Sequence, residues 1–217
     1  MCSASAAGAQ VGVAVSAFSD YRFRGYTLSN GRPVAILDLG YDAPNGLYGA
    51  LSGSIVASRD EGLQPLRLAF NGGYVKQLSR GLTGDVGVVH SRYSTYSGLA
   101  GGRSYTEVYG GVSAKSVGAR LSLSPDYLGT SHWTLHAAIN ARKDITSSLT
   151  VDGELGTLFP LGGSYSRAHW DARAGLSQRI GSISLHVSVT ARAKAPNAYV
   201  ARDHHSTAII VGISSAL

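Results

Sequence analysis

The sequence predicts an all-β protein, a closed antiparallel transmembrane β-barrel of about 12 strands with short periplasmic turns and longer extracellular loops. Three observations carry this reading. Apolar and polar residues alternate with period two along the whole chain. Short and long connections alternate between those segments. Charge is sparse: 15% of the 217 residues are charged and 44% are hydrophobic, against roughly 25% charged residues in ordinary soluble domains.

The first element sets the pattern. Val11, Val13, Val15 and Ala17 share one face, and Gly12, Ala14, Ser16 and Phe18 the other. A helix would split Val13 from Val11 and Val15 and would carry Gly12 in its interior. Next come Ala35, Leu37, Leu39 and Tyr41 opposite Ile36, Asp38 and Gly40, then a less regular strand over 47–58. Leu66, Leu68 and Phe70 face away from Arg67, Ala69 and Asn71, and a second less regular strand covers 82–93. Thr106, Val108, Gly110 and Val112 alternate with Glu107, Tyr109 and Gly111, and Ala119, Leu121 and Leu123 with Arg120, Ser122 and Ser124. Trp133, Leu135, Ala137 and Ile139 alternate with Thr134, His136, Ala138 and Asn140, and Leu149, Val151, Gly153 and Leu155 with Thr150, Asp152 and Glu154. Trp170, Ala172, Ala174 and Leu176 alternate with His169, Asp171 and Arg173, and Ile183, Leu185, Val187 and Val189 with Ser184, His186, Ser188 and Thr190. Ile209, Val211 and Ile213 close the series.

Connections 42–46, 79–81, 115–118, 143–147 and 179–181 are short, whereas 24–32, 59–65, 95–103, 125–131, 160–166 and 193–204 are long. An even number of strands then puts both termini on the short-turn, periplasmic side, with loops 24–32, 95–103 and 193–204 at the cell surface. Tyr21, Tyr41, Tyr74, Trp133 and Trp170 fall near strand ends in phase with the apolar face, where an aromatic girdle would sit at the headgroup level. A soluble sandwich also alternates. Here, however, the polar face is rich in Gly, Ser and Thr instead of dense Lys and Glu, the apolar face holds many small residues, and strands of about ten residues exceed the usual five or six. No apolar run reaches the roughly 18 residues that a transmembrane helix needs.

The formal charge is +6, but the arginines are spread about one per strand instead of clustered, which argues against nucleic acid as a partner. Cys2 is the only cysteine, so no internal disulfide forms. Residues 1–9 are small and Ala-rich and read as an export-signal remnant or an appended N-terminus, leaving 10–217 as one barrel domain.

The first strand runs into Ser19-Asp20-Tyr21-Arg22-Phe23-Arg24-Gly25, then Ser29-Asn30-Gly31-Arg32-Pro33, and Gly46-Leu47-Tyr48 enters a later strand. These residues resemble the opening of the TorF-type porin family of proteobacterial outer-membrane β-barrel proteins, with the match mainly in residues 19–50. The resemblance implies a porin and supplies no catalytic residues. The chain ends in Ser214-Ser215-Ala216-Leu217 in place of the terminal aromatic usual for such barrels. Outer-membrane lipids, lipopolysaccharide and the barrel-assembly machinery are the expected partners, with an envelope complex or homo-oligomer a further expectation.

With the apolar face toward lipid, the lumen lining becomes Arg22, Asp38, Arg67, Asp85, Arg92, Glu107, Arg120, His136, Arg142, Asp152, Glu154, Arg173 and Arg192, joined by Asp171 and by His90, His169 and His186. Charges belong there because Arg or Lys in the lipid midplane costs about 2–4 kcal/mol. This lining predicts a conduit for small polar solutes with a mild anion preference. The alternative is a filled lumen in a structural or complex-forming envelope protein. A lipid hydrolase using His204 and Ser206 is the enzymatic alternative, since residues two apart share a face of a strand. No P-loop, HExxH or Cys/His metal set is present, and no cofactor is implied.

Overall fold

The computed structural model describes residues 9–99, 104–162, 168–193 and 206–217; the N-terminal segment 1–8 lies outside them. Its strands are β1 (Gln10–Phe18), β2 (Arg22–Phe23), β3 (Tyr26–Thr27), β4 (Val34–Asp42), β5 (Leu47–Ser58), β6 (Gly62–Ser79), β7 (Leu82–Tyr93), β8 (Ser104–Ala114), β9 (Val117–Ser124), β10 (Thr134–Asp144), β11 (Leu149–Pro160), β12 (His169–Ile180), β13 (Ile183–Arg192) and β14 (Thr207–Ala216). A three-residue 3₁₀ turn, Tyr127–Gly129, is the only helical element among the described residues. β1 and β4–β14 form one closed antiparallel barrel, twelve strands in all, while β2 and β3 make a small hairpin inside the first loop. The seam is the β1–β14 pair, with Phe18 opposite Gly212 and Ala14 opposite Ala216. Closure removes the edges that an open sheet would expose in a membrane.

The alternation places side chains as the sequence pattern requires. Val15, Leu37, Leu121, Ile139, Leu155, Val187 and Val211 are exposed on the outer wall. Their strand neighbours Ser16, Asp38, Arg120, Asn140, Glu154, His186 and Gly212 point inward. An apolar band on the outside of a closed sheet fits hydrocarbon and is unstable against water. Arginine at Val187, which sits outward between Leu176 and Val211 on the neighbouring strands, is expected to cost about 2–4 kcal/mol. Urea midpoints for folding into phospholipid vesicles measure this; an unchanged midpoint would contradict a lipid-facing β13.

The connections alternate as expected, with one correction. The second long loop is only residues 59–61, because β6 begins at Gly62 and Pro65 lies within it. The pairing skips Leu66: Ser54 faces Arg67 and Ile55 faces Pro65. This bulge turns Leu66 inward, fully buried against Val34 and Val56, where strict alternation had put it outward. Proline is tolerated at such a break in the ladder.

The loop expected at the surface over 24–32 is instead folded into the barrel, with Tyr26, Thr27, Leu28 and Ser29 buried. In the third loop Ser97, Gly98 and Leu99 are buried beneath it, and the Gly98 amide donates to the Leu28 carbonyl. Most of loop 193–204 lies outside the described residues. An epitope therefore belongs between Asp60 and Glu61, both exposed, and not at Gly98. It should be labelled on intact cells; labelling only after lysis would reverse the orientation.

Candidate functional site

The lumen has two halves of different character. At the long-loop end the first loop, residues 19–33, turns inward and packs into the mouth. Its organising residue is Asp20, whose Oδ1 accepts from Thr27 Oγ1 (2.6 Å), Ser29 Oγ (2.8 Å) and the Gly31 amide (3.2 Å), while Oδ2 accepts from Arg22 Nε (2.8 Å). Burial alone would raise its carboxyl pKa, but the hydrogen bonds from Thr27, Arg22 and Ser29 outweigh that and hold it below the usual range. Ser19 ties the same segment to the seam, exchanging hydrogen bonds with Val211. Gly25 adopts φ +76° and lies so close to the Arg192 side chain that a Cβ would stand 2.7 Å from it. Positive φ and lack of space both require glycine there.

Arg24, also in the left-handed region at φ 49°, reaches across the lumen to Glu107 on β8. Its two terminal nitrogens donate to the two carboxylate oxygens at 2.7 and 2.9 Å. The side chains are 7% and 4% exposed. The guanidinium also lies over the rings of Phe23 (4.7 Å) and Tyr127 (5.2 Å). Around it Tyr26, Leu28, Tyr93, Leu99, Tyr105, Tyr127, Leu128 and Leu158 form a buried cluster. Burial raises the Tyr127 phenol pKa, so the hydroxyl stays neutral. Arg67 reaches into the same mouth, donating to Tyr21 Oη and Ser91 Oγ at 2.9 Å each, and Arg192 lies over the Tyr26 ring.

The short-turn half is open and polar. Asp38, Arg120, Arg142 and Arg173 point inward and are exposed. Arg120 pairs with Asp85 at 2.9 Å and lies over the Tyr109 ring at 4.3 Å. Arg173 pairs with Asp152 and faces Glu154 directly across β11–β12. Tyr48 and Tyr109 lie flat on the wall because Gly73 and Gly87 beneath them have no side chains; a Cβ on either would come within 2.5 Å of a tyrosine hydroxyl. Their hydroxyls bond to each other, to Asp85 and to Asn71 Oδ1. At mid-barrel His136 and Asp171 are buried 3.5 Å apart. No group of three metal-binding side chains occurs among the described residues.

Of the expected lining residues, Arg67, Asp85, Glu107, Arg120, His136, Arg142, Asp152, Glu154, Arg173 and Arg192 lie on the inward phase of their strands, and Arg22 points inward on the folded-in loop. Arg92 and His90 do not. Both are exposed on the outer phase of β7 with Val86 and Val88, and His90 Nδ1 bonds outward to Thr106 Oγ1. The less regular alternation over 82–93 concealed this phase. Arg92 is tolerable outside because it ends a strand, where its head can reach the interface. Trp133, Trp170, Tyr41 and Tyr74 point outward and are exposed. Tyr21 does not: it packs inward against both buried clusters, because β1 ends at Phe18 and the chain then turns into the mouth.

Sequence reasoning missed Arg24, Asp20 and the tyrosines around them. The available signal was Tyr21, Phe23, Tyr26 and Leu28 in one loop, too apolar a set for a solvated tip. His204 lies outside the described residues, and the Ser206 carbonyl accepts from the Arg192 amide. Elsewhere His186 sits between Ser177 Oγ (2.8 Å) and Ser214 Oγ (2.7 Å). With both ring nitrogens on hydroxyls, no carboxylate orients it as a nucleophile–base chain requires.

A closed barrel with an apolar exterior, a polar interior and a loop in its outer mouth defines an integral outer-membrane β-barrel of porin-like architecture. The sequence matches the family described as "Bacterial protein of unknown function (Gcw_chp)" over residues 3–210, and the chain belongs to that family. No curated protein matches. Among solved structures the chain is similar to the NanC porin, with TM-score 0.66, 12% identity, and 94% of this chain and 100% of that one covered. It is also similar to the KdgM porin in complex with disordered oligogalacturonate (TM-score 0.57, 12% identity, 95% and 98% covered). Outer membrane phospholipase A from Escherichia coli follows at TM-score 0.50 and 12% identity, with 94% and 89% covered. At these identities the likeness is one of fold.

Proposed function

We propose that the protein is a porin-type conduit for small polar solutes, stoppered at its outer mouth by its own first loop. One observation carries the reading: the inner half of the lumen is lined by solvent-exposed charges, and the first loop folds inward to pack into the other half. A wall built merely to fill space would not leave Arg120, Arg142, Arg173 and Asp38 exposed inside it. The TorF-type resemblance in residues 19–50 fits the same reading, since it covers the stopper itself. Lipid and lipopolysaccharide around the apolar wall are the accompanying partners.

Among the described residues the charges on the inward phase nearly balance. Arg22, Arg24, Arg67, Arg120, Arg142, Arg173, Arg179 and Arg192 stand against Asp20, Asp38, Asp42, Asp85, Glu107, Asp144, Asp152, Glu154 and Asp171. The excess of arginine behind the expected anion preference depended on Arg92, which faces outward. Selectivity should therefore be weak, with a reversal potential close to zero in a salt gradient. The second reading, a filled scaffold in an envelope complex, is favoured by the buried packing of Tyr105, Tyr127 and Leu128 at the mouth. Planar-bilayer recording separates the two. Brief or infrequent openings of the full chain support a stoppered conduit, and silence of both the full chain and a loop-deleted form supports the scaffold.

A further inference from the structure

The contact between Arg24 and Glu107 has the form of a ligand in a receptor. Glu107 and Tyr105 come from β8 and Tyr127 from the 3₁₀ turn; none belongs to the loop that carries Arg24. Together they present a buried carboxylate beside aromatic rings, Tyr105 and Tyr127 being tilted against each other at 5.1 Å. Two parallel N–H···O contacts and a ring under the cation are what a planar guanidinium offers, and an ammonium cannot reproduce the fork. Arg24 takes up this position from a backbone conformation uncommon for a residue with a side chain. When the loop leaves, Glu107 remains as a carboxylate in an apolar surround, and such a group draws in any cation that fits.

We propose that the barrel wall carries a guanidinium-binding pocket of which Arg24 is the tethered occupant, and that solutes ending in a guanidinium compete for it. This rests on the reading of the first loop as a stopper, and it names the solute class that would release it. A free guanidinium solute in the pocket excludes Arg24, so binding and loop release are the same event, and the coupling is reciprocal.

The test uses arginine methyl ester as the probe on folded protein in detergent. Arg24→Ala, which vacates the pocket, should bind it by calorimetry, whereas the wild type, with its own arginine in place, binds at least about tenfold more weakly. Lysine methyl ester should bind Arg24→Ala less well than the arginine ester, and Arg24→Ala/Glu107→Gln should bind neither. If Arg24→Ala does not keep its fold, Arg24→Lys provides a weaker occupant, and affinity for the arginine ester should lie above that of the wild type. No binding to a folded vacated variant, or equal binding with and without Glu107, overturns the pocket. The conduit reading fails separately: a loop-deleted protein that conducts but binds no guanidinium removes the pocket alone, and one that binds but never conducts removes the conduit alone.

Discussion

A barrel shortened by replacing residues 21–31 with a brief Gly-Ser link will conduct in large, steady steps where the full chain conducts rarely. The expectation follows from where the buried residues are. Tyr26, Leu28 and Ser29 occupy the outer mouth from the loop side, and β2–β3 has no ladder to the barrel strands. Removing it leaves the twelve-stranded wall and its hydrogen bonds in place. The remaining constriction would be Tyr93 and Tyr105 of the wall, Tyr127 of the 3₁₀ turn and the buried Ser97 and Leu99 of the third loop. Single-channel conductance should rise several-fold, as pore dimensions set by lining residues would dictate. Steps of unchanged size and frequency would mean that the wall, not the loop, closes the lumen.

Breaking the Arg24–Glu107 pair by one partner will release the loop without unfolding the barrel. Removing one member of a buried, hydrogen-bonded ion pair costs about 3–5 kcal/mol, since the other is left charged and dry. A loop held by its own contacts can escape that cost by moving into water, whereas β8 cannot. Glu107→Gln should therefore expose Arg22 and Arg24 to trypsin while the barrel keeps its heat-modifiable gel shift. Arg24→Leu/Glu107→Leu, with neither charge left, should be better protected than either single change. The shortfall from additivity, about 0.5–3 kcal/mol for groups in contact, measures their coupling. Equal protection of wild type and Glu107→Gln would show that the aromatic cluster alone holds the loop.

The barrel was legible because its wall obeys one local rule, period two, which lipid outside and water inside enforce on every strand. Leu121 and Arg120 or Val187 and His186 are told apart by parity alone. The departures occur where that rule lapses. The bulge at Leu66 inserts one residue and reverses the parity of what precedes it. β7 alternates Val86, Val88, His90 and Arg92 on its outer face, and polarity misleads once the strand reaches the rim. The folded-in first loop was illegible for a different reason. Its contacts join Arg24 to Glu107 and Arg32 to the Tyr96 carbonyl, pairs far apart in sequence, and no periodicity encodes them. Only the apolar content of the loop hinted that it does not stay in water.

Both tryptophans of the chain, Trp133 and Trp170, are on the outer belt at the long-loop end, each 51% exposed, and none faces the lumen. Intrinsic ultraviolet emission from this protein is thus a gauge of depth in the lipid. During insertion these two indoles are on the side that must cross the bilayer, so their emission follows the passage of the long-loop end through the lipid. The same emission is blind to movements of the loop, because the fluorophores beside Arg24 are tyrosines and a phenylalanine. A kinetic trace that follows tryptophan would record the birth of the barrel and report nothing of the first loop.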